Sequence, residues 1–252
     1  AFIFGSLTPP LIYLAGAGWL SRRAAMAAAF LASLSMWMIW LSQDARGYAP
    51  MIFFSLLSTL LWTRFAERRT FRLALFYLGS ALLAVYSHMF GAAVISGQLL
   101  VSLVMAGGRD RRRDGLFCSG LALLGLLVSA LAYAPLLPDF VTYLSTVATD
   151  IHGRIVTVRF GFEVVCSWSA GFYHPRLSLP FLAAAAAGAV LARRKAPLMF
   201  RAWAASLAIG FAVPLLLGAF SFHRFYSYAM PGFYLLIGTA LDRLWSDQDR
   251  TR

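Results

Sequence analysis

The polar stretch SQDARGYAP, Ser42 to Pro50, lies between two long apolar runs. It supplies a carboxylate at Asp44, a guanidinium at Arg46 and a phenol at Tyr48. Two later stretches add groups of the same kind. YSHMFG (86–91) contributes His88, and SFHRFYSYAMP (221–231) contributes His223 and Arg224. A carboxylate beside a hydroxyl can take its proton. A guanidinium can hold a phosphate through two parallel hydrogen bonds. Acid, imidazole, guanidinium and phenol beside lipid therefore describe a site for a lipid-linked anionic substrate, if the fold gathers the three stretches. Asp44 is the candidate catalytic residue; Arg46, Tyr48, His88, His223 and Arg224 are candidate substrate-binding residues. The competing reading is that arginines and tyrosines at an interface serve only as anchors. On a helical turn Asp44 and Tyr48 would share one face as an i,i+4 pair. Arg46 would then point elsewhere, and no Asp44–Arg46 salt bridge is expected.

The elements that must position these groups are membrane helices. Of the residues, 60% are hydrophobic and 13% charged, with a mean hydropathy of +0.72. Soluble domains carry about 25% charged residues, so an ordinary soluble domain is excluded. Apolar runs near the ~20 residues needed to cross a bilayer recur along the chain. They predict an all-α integral membrane protein, a polytopic bundle of about nine transmembrane helices forming a single transmembrane domain over residues 1–252. The predicted spans are 2–20, 24–41, 48–63, 71–87, 91–107, 115–137, 177–192, 200–220 and 229–245. One longer outer-face loop, about 139–176, mixes aromatic, β-branched and charged residues. It is expected to lie across the outer surface as amphipathic elements. Pro9, Pro10 and Pro214 are expected to kink their helices, and AAAAAGA (183–189) suits close helix packing. Gln98, the main polar side chain at depth, is expected to bond between helices.

Charge placement supplies the orientation. With the loop after the first span on the cytoplasmic side, seventeen of the 22 basic residues fall inside and five outside, a positive-inside pattern. The net charge of +12 is then topological and calls for no nucleic acid. By the same reading RDRRRD (109–114) is a stop signal. All four histidines fall outside, and Cys118 and Cys166 lie at opposite sides, so they do not pair. No charged residue or histidine sits at mid-membrane depth, which argues against a proton-coupled pump. No glycine-rich phosphate loop follows a strand, so any transferred group must arrive on a donor within the membrane. Ala1 falls at the outer surface, and the expectation is a fragment whose preceding helix and first outer loop are missing.

SQDARGYAP, followed by a span, a basic loop and VYSHMFG, resembles the bacterial branch of the GT-C membrane glycosyltransferases. These are relatives of the dolichyl-phosphate-mannose protein mannosyltransferases and the lipid A aminoarabinose transferase. The family pattern has Glu where this chain has Asp44 and Thr where it has Ser87. HRFYSYAMP keeps an arginine and an aromatic, Arg224 and Phe225, and only the later proline, Pro231. The resemblance implies sugar transfer from a polyprenyl-phosphate carrier to a lipid, protein or glycan acceptor. It implies a multi-pass protein of the bacterial cytoplasmic membrane with its site on the outer face. The usual family base lies in a first outer loop absent here; Asp44 matches the second acidic position. Arg46, His88 and Arg224 are then candidates for the phosphate region. No cofactor is certain; a divalent metal beside Asp44 and His88 or His223 is an option, with hydrogen bonding the favoured role for the histidines. A transporter or flippase of lipid-linked sugars, or a non-catalytic membrane subunit, are the alternatives. The sugar, the acceptor and the oligomeric state are not written in the sequence.

Overall fold

The computed structural model describes residues 1–139, 142, 154–155, 157–170, 175–195, 197–216 and 220–250. Among them the chain is helical apart from one pair of two-residue strands. The helices are α1 (Phe2–Gly16), α2 (Arg22–Ser33), α3 (Met36–Gln43), α4 (Tyr48–Arg68), α5 (Phe71–Ser87), α6 (Gly91–Gly107) and α7 (Arg112–Tyr133). A short 3-10 turn, Ala134–Leu136, follows. Then come α8 (Val158–Ala170), α9 (Pro175–Lys195), α10 (Pro197–Leu216), a 3-10 helix His223–Ala229 and α11 (Met230–Arg250). Strand β1 (Arg154–Ile155) pairs antiparallel with β2 (Phe220–Ser221).

Among the described residues, three helical stretches, against the nine expected spans, are long and apolar enough to cross a membrane: Tyr48–Arg68, Arg112–Asp139 and Leu198–Leu216. A fourth is reached if α2 and α3 count as one broken span. The predicted span 24–41 is thus not one straight helix. Ser35 leaves the helix with extended backbone (φ −64°, ψ 117°) and its hydroxyl accepts the Met38 N–H, so α3 starts afresh at 58° to α2. A hydroxyl that satisfies an orphan N–H stabilises such a new start. The first helix also stops earlier than expected, at Gly16.

The central element is α4. Its first half (Tyr48, Met51, Ile52, Leu56) joins a core built from α1, α2, α3 and α11. Its second half (Trp62, Phe65) joins a second core with Tyr77, Ile95 and Cys118 of α5, α6 and α7. Between them lies a buried polar knot. Tyr77 donates to Gln98 Oε1 at 2.8 Å, and Gln98 Nε2 donates to Ser58 and Thr59 at 3.3 and 3.1 Å. Trp62 Nε1 donates to Ser102, whose hydroxyl donates to the Gln98 carbonyl. Gln98 is the interhelical partner the sequence led us to expect. Bonds of this kind contribute about 0.6–2 kcal/mol between helices in lipid, and their directionality fixes the rotation of α4, α5 and α6. Small residues set the spacing: a Cβ at Gly97 would lie 2.6 Å from the Ser206 nitrogen, and one at Gly188 would overlap the Leu236 carbonyl.

The connections sort into two ends. At one, Arg69 holds Asp114 across two basic loops, with its guanidinium 5.4 Å from the Phe117 ring. The Ser21 N–H donates to the buried Asp242 carboxylate at this same end. Arg69 has left-handed backbone (φ 41°, ψ 45°), a conformation disfavoured for a side chain with a Cβ; it closes α4 as an αL cap whose N–H donates to the Phe65 carbonyl. At the other end lie the corners at Asp44, His88 and His223. Part of the expected outer loop, 139–176, falls outside the described residues, including His152 and His174. The part described is no loose surface strap. α8 buries Phe160, Val164 and Trp168 in the first core, and Tyr234 donates to the Trp168 carbonyl at 2.6 Å.

Candidate functional site

The first two corners touch through Gly47, which precedes α4 as its N-cap. A Cβ there would lie 1.8 Å from the Ser87 carbonyl oxygen. Only a residue without a side chain lets the backbones meet so closely. The contact places the Tyr48 ring 5.0 Å from the His88 imidazole. The third corner closes on both: Phe225 lies 4.9 Å from His88 and 6.4 Å from Tyr48, and Phe90 stands 5.0 Å from Phe225.

The cations gather on the same phenol. Arg224 Cζ sits 5.7 Å from the Tyr48 ring centroid and 4.7 Å from that of Phe222. Both Arg224 and Arg46 bear on the Tyr48 hydroxyl. Arg224 Nε is buried with no hydrogen-bond partner among the described residues. A buried, unsatisfied guanidinium N–H is costly, and an anionic oxygen would satisfy it.

The first corner is not a helical turn. Asp44 ends α3 with extended backbone (φ −68°, ψ 122°) and α4 starts at Tyr48, so the two do not form an i,i+4 pair. Instead Asp44 Oδ1 accepts the Arg46 N–H at 3.3 Å and lies 3.9 Å from Arg46 Nε. The expected absence of an Asp44–Arg46 ion pair is therefore corrected, because the side chain folds back over its own turn. The pair is loose: the Arg46 side chain is 61% exposed and Asp44 19%. An exposed pair at that distance contributes little, so Arg46 can exchange Asp44 for a stronger anion.

His88 is a neutral donor in this setting. Its Nδ1 accepts the Phe90 N–H at 3.3 Å, which puts the ring proton on Nε2. Burial, and then the Arg224 charge, push its pKa from 6.5 down to about 4. The folded value lies below the unfolded one, so the stability linked to His88 is complete above about pH 6.5 and is lost as pH falls toward 4. Nuclear magnetic resonance of the labelled imidazole should show a ring still neutral at pH 5.5, with a midpoint near 4. Arg224→Ala should raise that midpoint. An unperturbed midpoint in the parent protein would contradict the assignment.

His223 takes different partners. Its ring stacks on Phe160 at 4.8 Å, and Nε2 lies 3.6 Å from Glu163 Oε2. Glu163 also accepts from Arg159 Nε at 3.1 Å. The sequence singled out Phe225 but not Glu163, nor Phe90 and Phe222, which stand with Phe225 as an aromatic wall. For Glu163 the signal was an acid four residues after Arg159 in an otherwise apolar run. Among the described residues no group of three His, Cys, Asp or Glu side chains gathers as a metal site would need. Cys118 and Cys166 are both buried and unpaired with each other, as expected. No family model, curated protein or solved structure matches the chain.

Proposed function

We propose that the protein transfers a sugar from a polyprenyl-phosphate carrier to a lipid, protein or glycan acceptor, at the outer face of a bacterial cytoplasmic membrane. The observation that carries this reading is the convergence of Arg46, Tyr48, His88 and Arg224 from three separate corners, with Arg224 Nε buried and unpartnered. The resemblance of SQDARGYAP and VYSHMFG to GT-C transferases supplies the reaction type. In this reading the chain crosses the membrane nine times: α1, the broken α2–α3 pair, α4, α5, α6, α7, α9, α10 and α11. α8 lies at the outer end, and the arginine-rich loops face the cytoplasm.

The reaction is a displacement at the anomeric carbon. The acceptor oxygen attacks, its proton passes to a carboxylate base, for which Asp44 is the candidate in this chain, and the bond from the anomeric carbon to the phosphate oxygen breaks. The departing lipid phosphate gains negative charge as it leaves. Arg46 and Arg224 stand where that charge can be held, and His88 Nε2–H can donate to the same oxygens. The aromatic wall gives the sugar an apolar face to lie on.

The test is a reconstitution in liposomes with labelled polyprenyl-phosphate sugars and membrane-extracted acceptors. Label should move to an acceptor as free polyprenyl phosphate accumulates. Transbilayer movement of intact donor would instead indicate a flippase, and neither event would indicate a non-catalytic subunit.

A further inference from the structure

A second concavity lies away from the cluster just described. It is an open groove of about 520 Å³ at the arginine-rich end, between α4 and α7. Phe65, Leu116, Phe117, Leu121 and Leu124 line it, and Arg113 is the one charged side chain at its edge. A reaction site needs several convergent polar groups, and this groove has none. Its chemistry is that of a hydrocarbon slot with a cation at the mouth.

We infer that this groove holds one acyl chain of an anionic phospholipid from the leaflet at the arginine-rich end, with Arg113 on the headgroup phosphate. Three observations support it, none of which depends on the proposed transferase activity. First, the acidic neighbour is already occupied: Asp114 is held by Arg69. Arg113 meets the Phe117 ring at 5.9 Å and pairs with no carboxylate among the described residues. Second, the surrounding run RDRRRD has four arginines against two aspartates, a local excess complementary to an anionic headgroup and not to a zwitterionic one. Third, the groove is open at Gly120, which lines it. No atom lies within 4 Å of the point its Cβ would occupy, so the space is open and not a packing contact between helices. Leu116, Phe117 and Leu124 stay about half exposed around it. An acyl chain would cover them while its phosphate reached Arg113, one helical turn toward the loop.

Native mass spectrometry of the detergent-solubilised protein, titrated with palmitoyl-oleoyl phosphatidylglycerol and with the matching phosphatidylcholine, tests this. The parent protein should retain phosphatidylglycerol preferentially. Arg113→Gln should weaken that retention about fivefold, the effect of one cation near an anionic surface. Gly120→Phe fills open space, so the fold should survive, and retention of both lipids at this site should disappear. Arg23→Gln, an exposed cation at the same end that does not line the groove, should change retention less than twofold. Equal retention of the two lipids would overturn the proposal. So would a loss in Arg23→Gln equal to that in Arg113→Gln, or unchanged retention in Gly120→Phe.

Discussion

Replacing Arg224 with alanine is expected to lower sugar transfer about 100-fold, while Arg23→Ala leaves it within about twofold. Arg224 is the cation most committed to the site: its Nε is buried and without a hydrogen-bond partner among the described residues, and its guanidinium carbon lies 4.7 Å from the Phe222 ring centroid and 5.7 Å from that of Tyr48. Truncating one partner of a buried charge pair costs about 2–5 kcal/mol, and each 1.4 kcal/mol is about tenfold in rate. Arg23 is exposed at the start of α2, at the opposite end. Arg224→Lys separates charge from geometry, because lysine keeps the charge and loses the planar fork. It should recover only part of the activity. The measurement is kcat/KM for the labelled donor, with thermal unfolding of each variant as a check on folding. Equal, small effects at positions 224 and 23 would leave Arg224 as an interfacial anchor.

The parts of this picture that were legible in the sequence are those set by local chemistry. The bounds of predicted spans 71–87 and 91–107 coincide with those of helices α5 and α6, although at 17 residues each they are shorter than the ~20 residues that cross a bilayer. Thr70 caps the first of these through the Leu73 N–H, and the corner at His88 separates the two. Gln98 stood out because a lone amide in an apolar helix must find partners. The break between α2 and α3 was not legible, since hydropathy measures transfer into lipid and is blind to direction. LASLSMWM reads as one apolar run, although Ser35 has turned the chain. The first corner was misread for a related reason. Asp44 leaves the helix with extended backbone and its carboxylate accepts the Arg46 N–H, a local choice that the i,i+4 spacing of Asp44 and Tyr48 does not reveal. Glu163 was hidden by distance along the chain: its partner His223 lies sixty residues later.

The close approach at Gly47 yields the second large effect. Gly47 has φ −70° and ψ 8°, a conformation open to any residue, so space and not backbone freedom demands glycine here. An alanine Cβ would sit 1.8 Å from the Ser87 carbonyl oxygen and 2.8 Å from its carbon. Neither atom belongs to a flexible side chain, so the corners themselves must separate by more than an ångström. Overpacking of this kind costs about 1–3 kcal/mol of stability. A displacement of about 1 Å in a positioned site can cost about 100-fold in rate. Gly47→Ala is therefore expected to lower the unfolding temperature and to reduce transfer by about two orders of magnitude. Tyr48 and His88, now 5.0 Å apart, would no longer face one phosphate together. Gly79→Ala is the matched control, a helical glycine whose Cβ would meet nothing within 4 Å. It should leave both quantities near the parent values. Parent-like stability and transfer in Gly47→Ala would mean that the corners are not held in register by this contact. If stability fell while transfer per folded molecule stayed unchanged, Gly47 would serve packing alone, and the Tyr48–His88 spacing would not matter to the reaction.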